Sequence, residues 1–265
     1  FKQKTAYEIS VRDWSSDVSF PIYGIPPHKQ YIFETPRDFR VSTAGFSPLF
    51  SFARGGLAQA WTGGCYPFNE QELAEFPFAY EDIRPYYGEV ARRIGVSGEA
   101  DDLSRFMPVH DHLMEPLRLD RHSESLLEVY RRKKRRLNEG LGCYVGRTRV
   151  ATLSKAREGR KPCEYLGRCL WGCPVEALYT PSQTLRECQE YPNFTYVSGV
   201  QAHYFTIVGG RARALVVVPA EGGAERSIEA DSIVLAAGTL SSSKIVMRSA
   251  AFRSEERRVG KECRS

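Results

Sequence analysis

The 265 residues are 42% hydrophobic and 26% charged. That length and composition allow one large core or two small ones and exclude a fibrous or wholly disordered chain. No apolar run approaches the roughly 18 residues of a membrane span. The net charge of +5 is mild, and seven cysteines are an odd number, too sparse for a disulfide scaffold.

Taken in chain order, residues 1–30 carry little periodicity. The chain opens on Phe1, with no Met and no signal peptide, so its start is expected to lie upstream. "VRDWSSDV" near this end and "SEERRVGKECRS" at the other look like translated adapter sequence. The expected organisation is therefore a poorly structured 1–30, a folded 31–250, and a foreign or disordered tail at 251–265. Cys263 falls in that tail and carries no chemistry.

Within 31–250, residues 41–68 form a loop region rich in glycine and aromatics. "AYEDIRPYYGEVARRIGV" (79–96) predicts a helix with Ile83, Tyr86, Tyr87, Val90 and Ile94 on one stripe and Pro85 in its first turn. Leu126, Leu127, Tyr130 and Leu137 predict a second helix, opened by a Ser125–Glu128 capping box and closed at Gly140. "RRKKRR" (Arg131–Arg136) then reads as its solvated face. With no interleaved aromatics and no recognition motif, it does not argue for nucleic acid. Cys65, Cys143 and Cys188 read as buried thiols.

Beyond a loop at 155–182 the period becomes strand-like. "FTYVSGV", "AHYFTIV" and "RARALVVV" flank Gly209-Gly210 and predict a hairpin, and Gly222-Gly223 marks a second turn. Ser232–Ala236 is a nearly all-apolar run, as in a strand buried on both faces of a parallel sheet. Gly238 follows, and then Ser241–Ser243 are candidate caps for a helix carrying Ile245, Val246 and Met247. The alternation of strands and helices gives an α/β class, or an α+β mixture.

Two segments can carry chemistry. The strand, glycine and capped helix at 232–247 offer close backbone approach and unpaired N–H groups to a phosphate, though any β-α turn supplies as much. "ARGGLAQAWTGGCYP" (53–67) holds two Gly-Gly pairs around Trp61, suited to a pyrophosphate or a planar ring, or to a structural loop. Five histidines are scattered along the chain, and "HDH" (110–112) lacks a third metal ligand at a sensible spacing.

Together, "RGGLAQAWTGG", the 79–96 helix, the 193–218 hairpin and "ADSIVLAAGTLSSSKIVMRS" resemble the glucose–methanol–choline family of flavin oxidoreductases over roughly residues 31–250. The resemblance implies a partial FAD-binding, Rossmann-like domain with a β-meander, lacking its first βαβ unit and most of the substrate domain. It implies that Gly55 and Gly56 lie beside the diphosphate and ribityl chain. Trp61, Thr62, Gly63 and Gly64 would lie against the isoalloxazine ring, Val200 at the adenine, and Ala237 and Gly238 at the returning turn. It further implies oxidation of a CH–OH group of a sugar, polyol or other alcohol, by hydride transfer to FAD. Leu57 departs from the Ser or Thr of many members. No G-x-G-x-x-G precedes residue 31, and no residue matches the family's catalytic His, which is expected beyond the C-terminus; none is named here. Alternative readings are a non-catalytic fragment unable to bind flavin, and an electron-transfer module built on cysteines.

Those cysteines are Cys163, Cys169 and Cys173, in "CEYLGRCLWGCP" (163–174), spaced C-x5-C-x3-C-P. Leu166 stands where a ferredoxin loop has its second cysteine, which disfavours a four-cysteine cluster. Three thiolates suit a three-iron, four-sulfur cluster, and the flanks resemble the membrane-linked sugar dehydrogenases of the same family, with the electron-accepting subunit that implies. Zinc lacks a fourth ligand, and a Cys169–Cys173 disulfide would strand Cys163. The cluster and three packing thiols remain equal alternatives.

Overall fold

The computed structural model describes residues 26–34, 39, 44–45 and 48–262, the last twelve of these by backbone alone. The expectations for residues 1–25 and for Cys263 lie outside the described residues, whereas Pro27–Phe33 forms a 3-10 helix. The chain divides into two compact units: Ala58–Thr184 with the Phe1–Gln30 segment, and Tyr31–Leu57 with Leu185–Ser265.

The first unit is organised by one extended segment that the periodicity did not reveal, residues 149–153. Val150 exchanges both backbone hydrogen bonds with Ser97, at 2.8 and 3.0 Å. The Ala151 N–H reaches the Gly63 carbonyl at 2.7 Å, and the Leu153 N–H reaches Ala177 at 3.0 Å. Three stretches distant in sequence thus share one backbone hub. Ala151, Leu153 and Ala177 are wholly buried around it, together with Val96 and the side chain of Arg149.

Two helices belong to this unit. Helix α1 spans Tyr80–Ile94, where a helix is expected. Asp82 accepts the Ala79 N–H at 2.8 Å and so satisfies one of the helix's opening donors. Pro85 sits in the second turn and not the first, removing the ladder bond that would reach the Glu81 carbonyl. The inward face is also rotated from the expected stripe: Tyr80, Gly88 and Ala91 are buried, while Tyr86 and Val90 are exposed. Small residues bring this helix close to the loop at Asp111, which a Cβ on Gly88 would meet at 3.3 Å.

Helix α2 spans Arg121–Leu141 and is longer at both ends than its apolar spacing implies. Asp120, not Ser125, is the N-cap, accepting the N–H groups of His122 and Ser123 at 2.9 and 3.0 Å. Gly142, not Gly140, ends it, at φ 60° in the left-handed region. Arg131–Arg136 are all exposed, and Tyr130 is the buried residue of the helix. Helix α3, Pro181–Gln189, follows the cysteine loop.

The second unit holds a three-stranded antiparallel meander: β1 (Val200–Val208), β2 (Arg211–Pro219) and β3 (Arg226–Glu229). The Gly209-Gly210 hairpin forms as expected, with Val208 opposite Arg211 and Val200 opposite Pro219. Residues 194–198 lie outside the strand. The register shifts between Ala202 and Tyr204, leaving His203 as the extra residue of a β-bulge. Helix α4, Thr239–Glu262, lies against β1. The Ser249 hydroxyl accepts the Phe205 N–H at 3.0 Å and donates to Ile245 O at 2.7 Å, stitching helix to strand.

One expectation is corrected here. Ser232–Ala236 is not a strand, and Val234 is 89% exposed. An all-apolar segment becomes a central strand only where neighbours accept its ladder, and none of the described strands pairs with it. The architecture is mixed helix and small antiparallel sheet, compatible with an α/β class.

Candidate functional site

The second unit forms a cavity of roughly 720 Å³ built from three stretches and the side chain of Phe39. The first is the loop at 49–57. Ser51 Oγ accepts the Ala53 N–H at 3.1 Å, and the Gly56 N–H returns to Ala53 O at 2.9 Å, closing a tight turn. Gly55 and Gly56 follow at φ 86° and 59°, consecutive left-handed positions that side chains disfavour. The second stretch is the start of β1, Val200–His203. The third is the turn at 236–241 with the first turns of α4.

Gly238, at φ 76°, turns the chain into α4. Of the expected serine caps, Ser242 Oγ accepts the Ala237 N–H at 3.2 Å, while Ser243 Oγ donates to Thr239 O at 2.8 Å. The helix therefore begins at Thr239, ahead of all three serines. A Cβ at Gly56 or at Gly238 would meet no atom within 4 Å. These glycines serve backbone turning, with open space in front of them.

Five of the residues that the sequence singles out for FAD meet here: Gly55, Gly56, Val200, Ala237 and Gly238 all line the cavity. Leu57, the departure from the hydroxyl residue, lines it too. Sequence reasoning missed the remaining character of the walls. Phe39, Phe50 and Phe52 form an aromatic trio with ring centroids 4.7 to 6.2 Å apart. Lys244 Nζ stands 3.9 Å from the centre of the Phe39 ring. Among the described residues, His203, Lys244 and Arg248 contribute to the lining and no Asp or Glu does. Burial pushes the Lys244 ammonium below its ordinary pKa, and the charge of Arg248 adds to that. The signal for these two cations was present in the spacing of "SKIVMRS", four residues apart, but a helical spacing does not say which face meets a cavity.

The other four expected residues lie in the first unit and do not line this cavity. Trp61 donates its indole N–H to Tyr179 O at 2.8 Å, and its ring meets Tyr179 edge-on. Thr62 is exposed. Gly63 is buried at φ 82°, where a Cβ would stand 2.7 Å from Leu178 Cδ1. Gly64 bridges to Val150. Gly63 is thus explained by packing against Leu178 and Ala151, while a Cβ on Gly64 would meet the Tyr66 ring at 3.1 Å.

The metal expectation finds no support in the side-chain placement. Among the described residues no group of three or more His, Cys, Asp or Glu is placed to hold a metal ion. Cys163, Cys169 and Cys173 are free, half-buried thiols. The Cys163 N–H is tied to Leu153 O at 2.8 Å, and its sulfur accepts the Tyr165 N–H at 3.4 Å. Cys169 O and Cys173 O each close their own turn, accepting from Gly172 and Glu176. Burial pushes the Cys169 thiol up, and the charges of Cys163 and Cys173 add to the effect. Tyr165 anchors the loop: its hydroxyl accepts the Arg118 N–H at 3.0 Å under the Arg118 guanidinium. Among the lone cysteines, Cys65 and Cys188 are half-buried and Cys143 is exposed, where all three were expected inside.

Residues 148–264 match the family model described as GMC oxidoreductase. The match spans 117 of the 265 residues, so it is a likeness to that family over less than half of the chain. It contains Val200, Ala237, Gly238, Lys244 and Arg248, whereas the 55–64 glycine segment lies outside it. No curated protein matches the chain.

Proposed function

We propose that this chain contributes FAD-binding structure to an oxidoreductase that oxidises the CH–OH group of a sugar, polyol or other alcohol. The observation that carries the reading is the convergence of Gly55, Gly56, Val200, Ala237 and Gly238 on one cavity that is aromatic on one side and cationic on another. The donor set suits FAD: backbone turns with open space before them, flat apolar rings, and positive groups with no carboxylate among the described lining residues to repel phosphates.

Bound FAD would supply a hydride acceptor at its flavin ring. This chain's own residues would bind and orient it. The Gly55-Gly56 turn allows close backbone approach, and the Phe39, Phe50 and Phe52 rings exclude water from one wall. No proton-transfer residue is assigned within the chain.

The test is direct. Purified protein mixed with FAD and freed of excess by gel filtration should retain flavin absorbance and quench flavin fluorescence. Protein that emerges colourless from saturating FAD refutes the reading for this chain.

A further inference from the structure

The cavity carries more positive character than close backbone approach alone requires, and that excess is localised. Lys244 and Arg248 are four residues apart on α4, so they lie on one face about 6 Å apart along the axis. Both are half-buried and both line the cavity. Among the described residues neither forms an ion pair with a carboxylate. The one recorded partner of Lys244 is the face of Phe39. Like charges one turn apart repel, and partial burial removes the water that would soften the repulsion. Among the described lining residues no Asp or Glu offsets this cost.

From this arrangement we infer that Lys244 and Arg248 are the phosphate-holding pair of the second unit's cavity, which takes a nucleoside diphosphate with its two phosphates against α4. The inference rests on the flavin reading above and adds to it the side chains that recognise the anion. A diphosphate matches the site in charge and in span, since it presents two negative groups to two cations one helical turn apart. The aromatic trio beside Lys244 gives an adjoining planar group an apolar wall. Arg248 presents a planar fork for phosphate oxygens, while Lys244 acts as a point charge that can leave the Phe39 face to reach them.

The experiment uses the whole chain with FAD, ADP, adenosine and riboflavin as probes, binding being followed by flavin fluorescence and by competition. Lys244→Met and Arg248→Met are each expected to weaken FAD and ADP about tenfold or more, the loss of one charge-assisted contact. Lys244→Arg, which keeps the charge, should stay within about threefold of the parent. Unchanged far-UV circular dichroism and melting temperature establish that the variants fold. The parent protein provides a second reading that needs no variant. Its affinity for ADP should fall steeply between about 50 and 500 mM salt, while riboflavin and adenosine change little. If FAD binds the parent, and both Met variants bind it within about twofold with the same salt slope, the phosphate assignment is wrong and the flavin reading stands. If neither FAD nor ADP binds the parent, both fall together.

Discussion

Replacing Gly63 with alanine tests whether the "TGG" glycines are held by packing. Gly63 is fully buried and left-handed at φ 82°. An alanine there pays about 1–2 kcal/mol for the backbone conformation alone. Its Cβ would stand 2.7 Å from Leu178 Cδ1 and 3.3 Å from the Ala151 nitrogen, whereas carbon atoms settle near 3.5–4.0 Å. Leu178 is 3% exposed and has no outward route, so the Gly63–Ala151 hydrogen bond or the leucine packing must give way. Overpacking of that kind adds about 1–3 kcal/mol, for a total of roughly 2–5 kcal/mol. The control is Gly142→Ala in the same unit, where φ is 60° and no atom lies within 4 Å of the added Cβ. It should pay the conformational cost alone, about 1–2 kcal/mol. Urea unfolding followed by tryptophan fluorescence, with Trp61 two residues from the substitution, measures both. If Gly63→Ala destabilises no more than Gly142→Ala, the packing account of this segment is wrong.

The buried Arg149 donates to the Pro108 and Met107 carbonyls at 2.6 and 2.9 Å, so Arg149→Met should cost about 2–4 kcal/mol in urea unfolding, with Arg149→Lys in between. On α1, hydrogen bonds from Arg92 and then Arg93 pull the Glu89 carboxyl from 4.5 to about 2. Because the folded pKa is the lower one, its stabilising contribution is present above the unfolded pKa and is lost as pH falls from 4.5 toward 2. Glu89→Gln should therefore be less stable than the parent near neutrality in low salt. The two thermal melting curves should converge in that acid window, and also near ~1 M salt, because the pair is solvent-exposed.

Local rules reach far into this protein. The Gly209-Gly210 hairpin, the helix over Tyr80–Ile94 and the solvated face of Arg131–Arg136 were legible because turn chemistry and periodicity act between residues close in sequence. The resemblance likewise located five residues that the fold gathers in one cavity. Errors lie where the outcome depends on what stands opposite. Ser232–Ala236 has the composition of a central strand, yet a strand exists only when another accepts its ladder. The cap of α2 shifted to Asp120 because side-chain geometry, and not the first apolar residue, decides where a helix opens.

The cysteine loop and α4 mark the same boundary. Spacing in "CEYLGRCLWGCP" is compatible with a metal cluster, but spacing does not place sulfurs, and the backbone ties Cys163 to Leu153 while Cys169 and Cys173 close turns of their own. Conversely, nothing in the local spacing of Lys244 and Arg248 shows that the loop at 49–57 and the start of β1 share a cavity with them. The sequence by itself determined the turns, the helices, the meander and the family resemblance, all from short-range preference. Tertiary structure alone decided which glycines face open space and which face Leu178, and which charges lose their water. Those properties belong to the space between segments far apart in the chain.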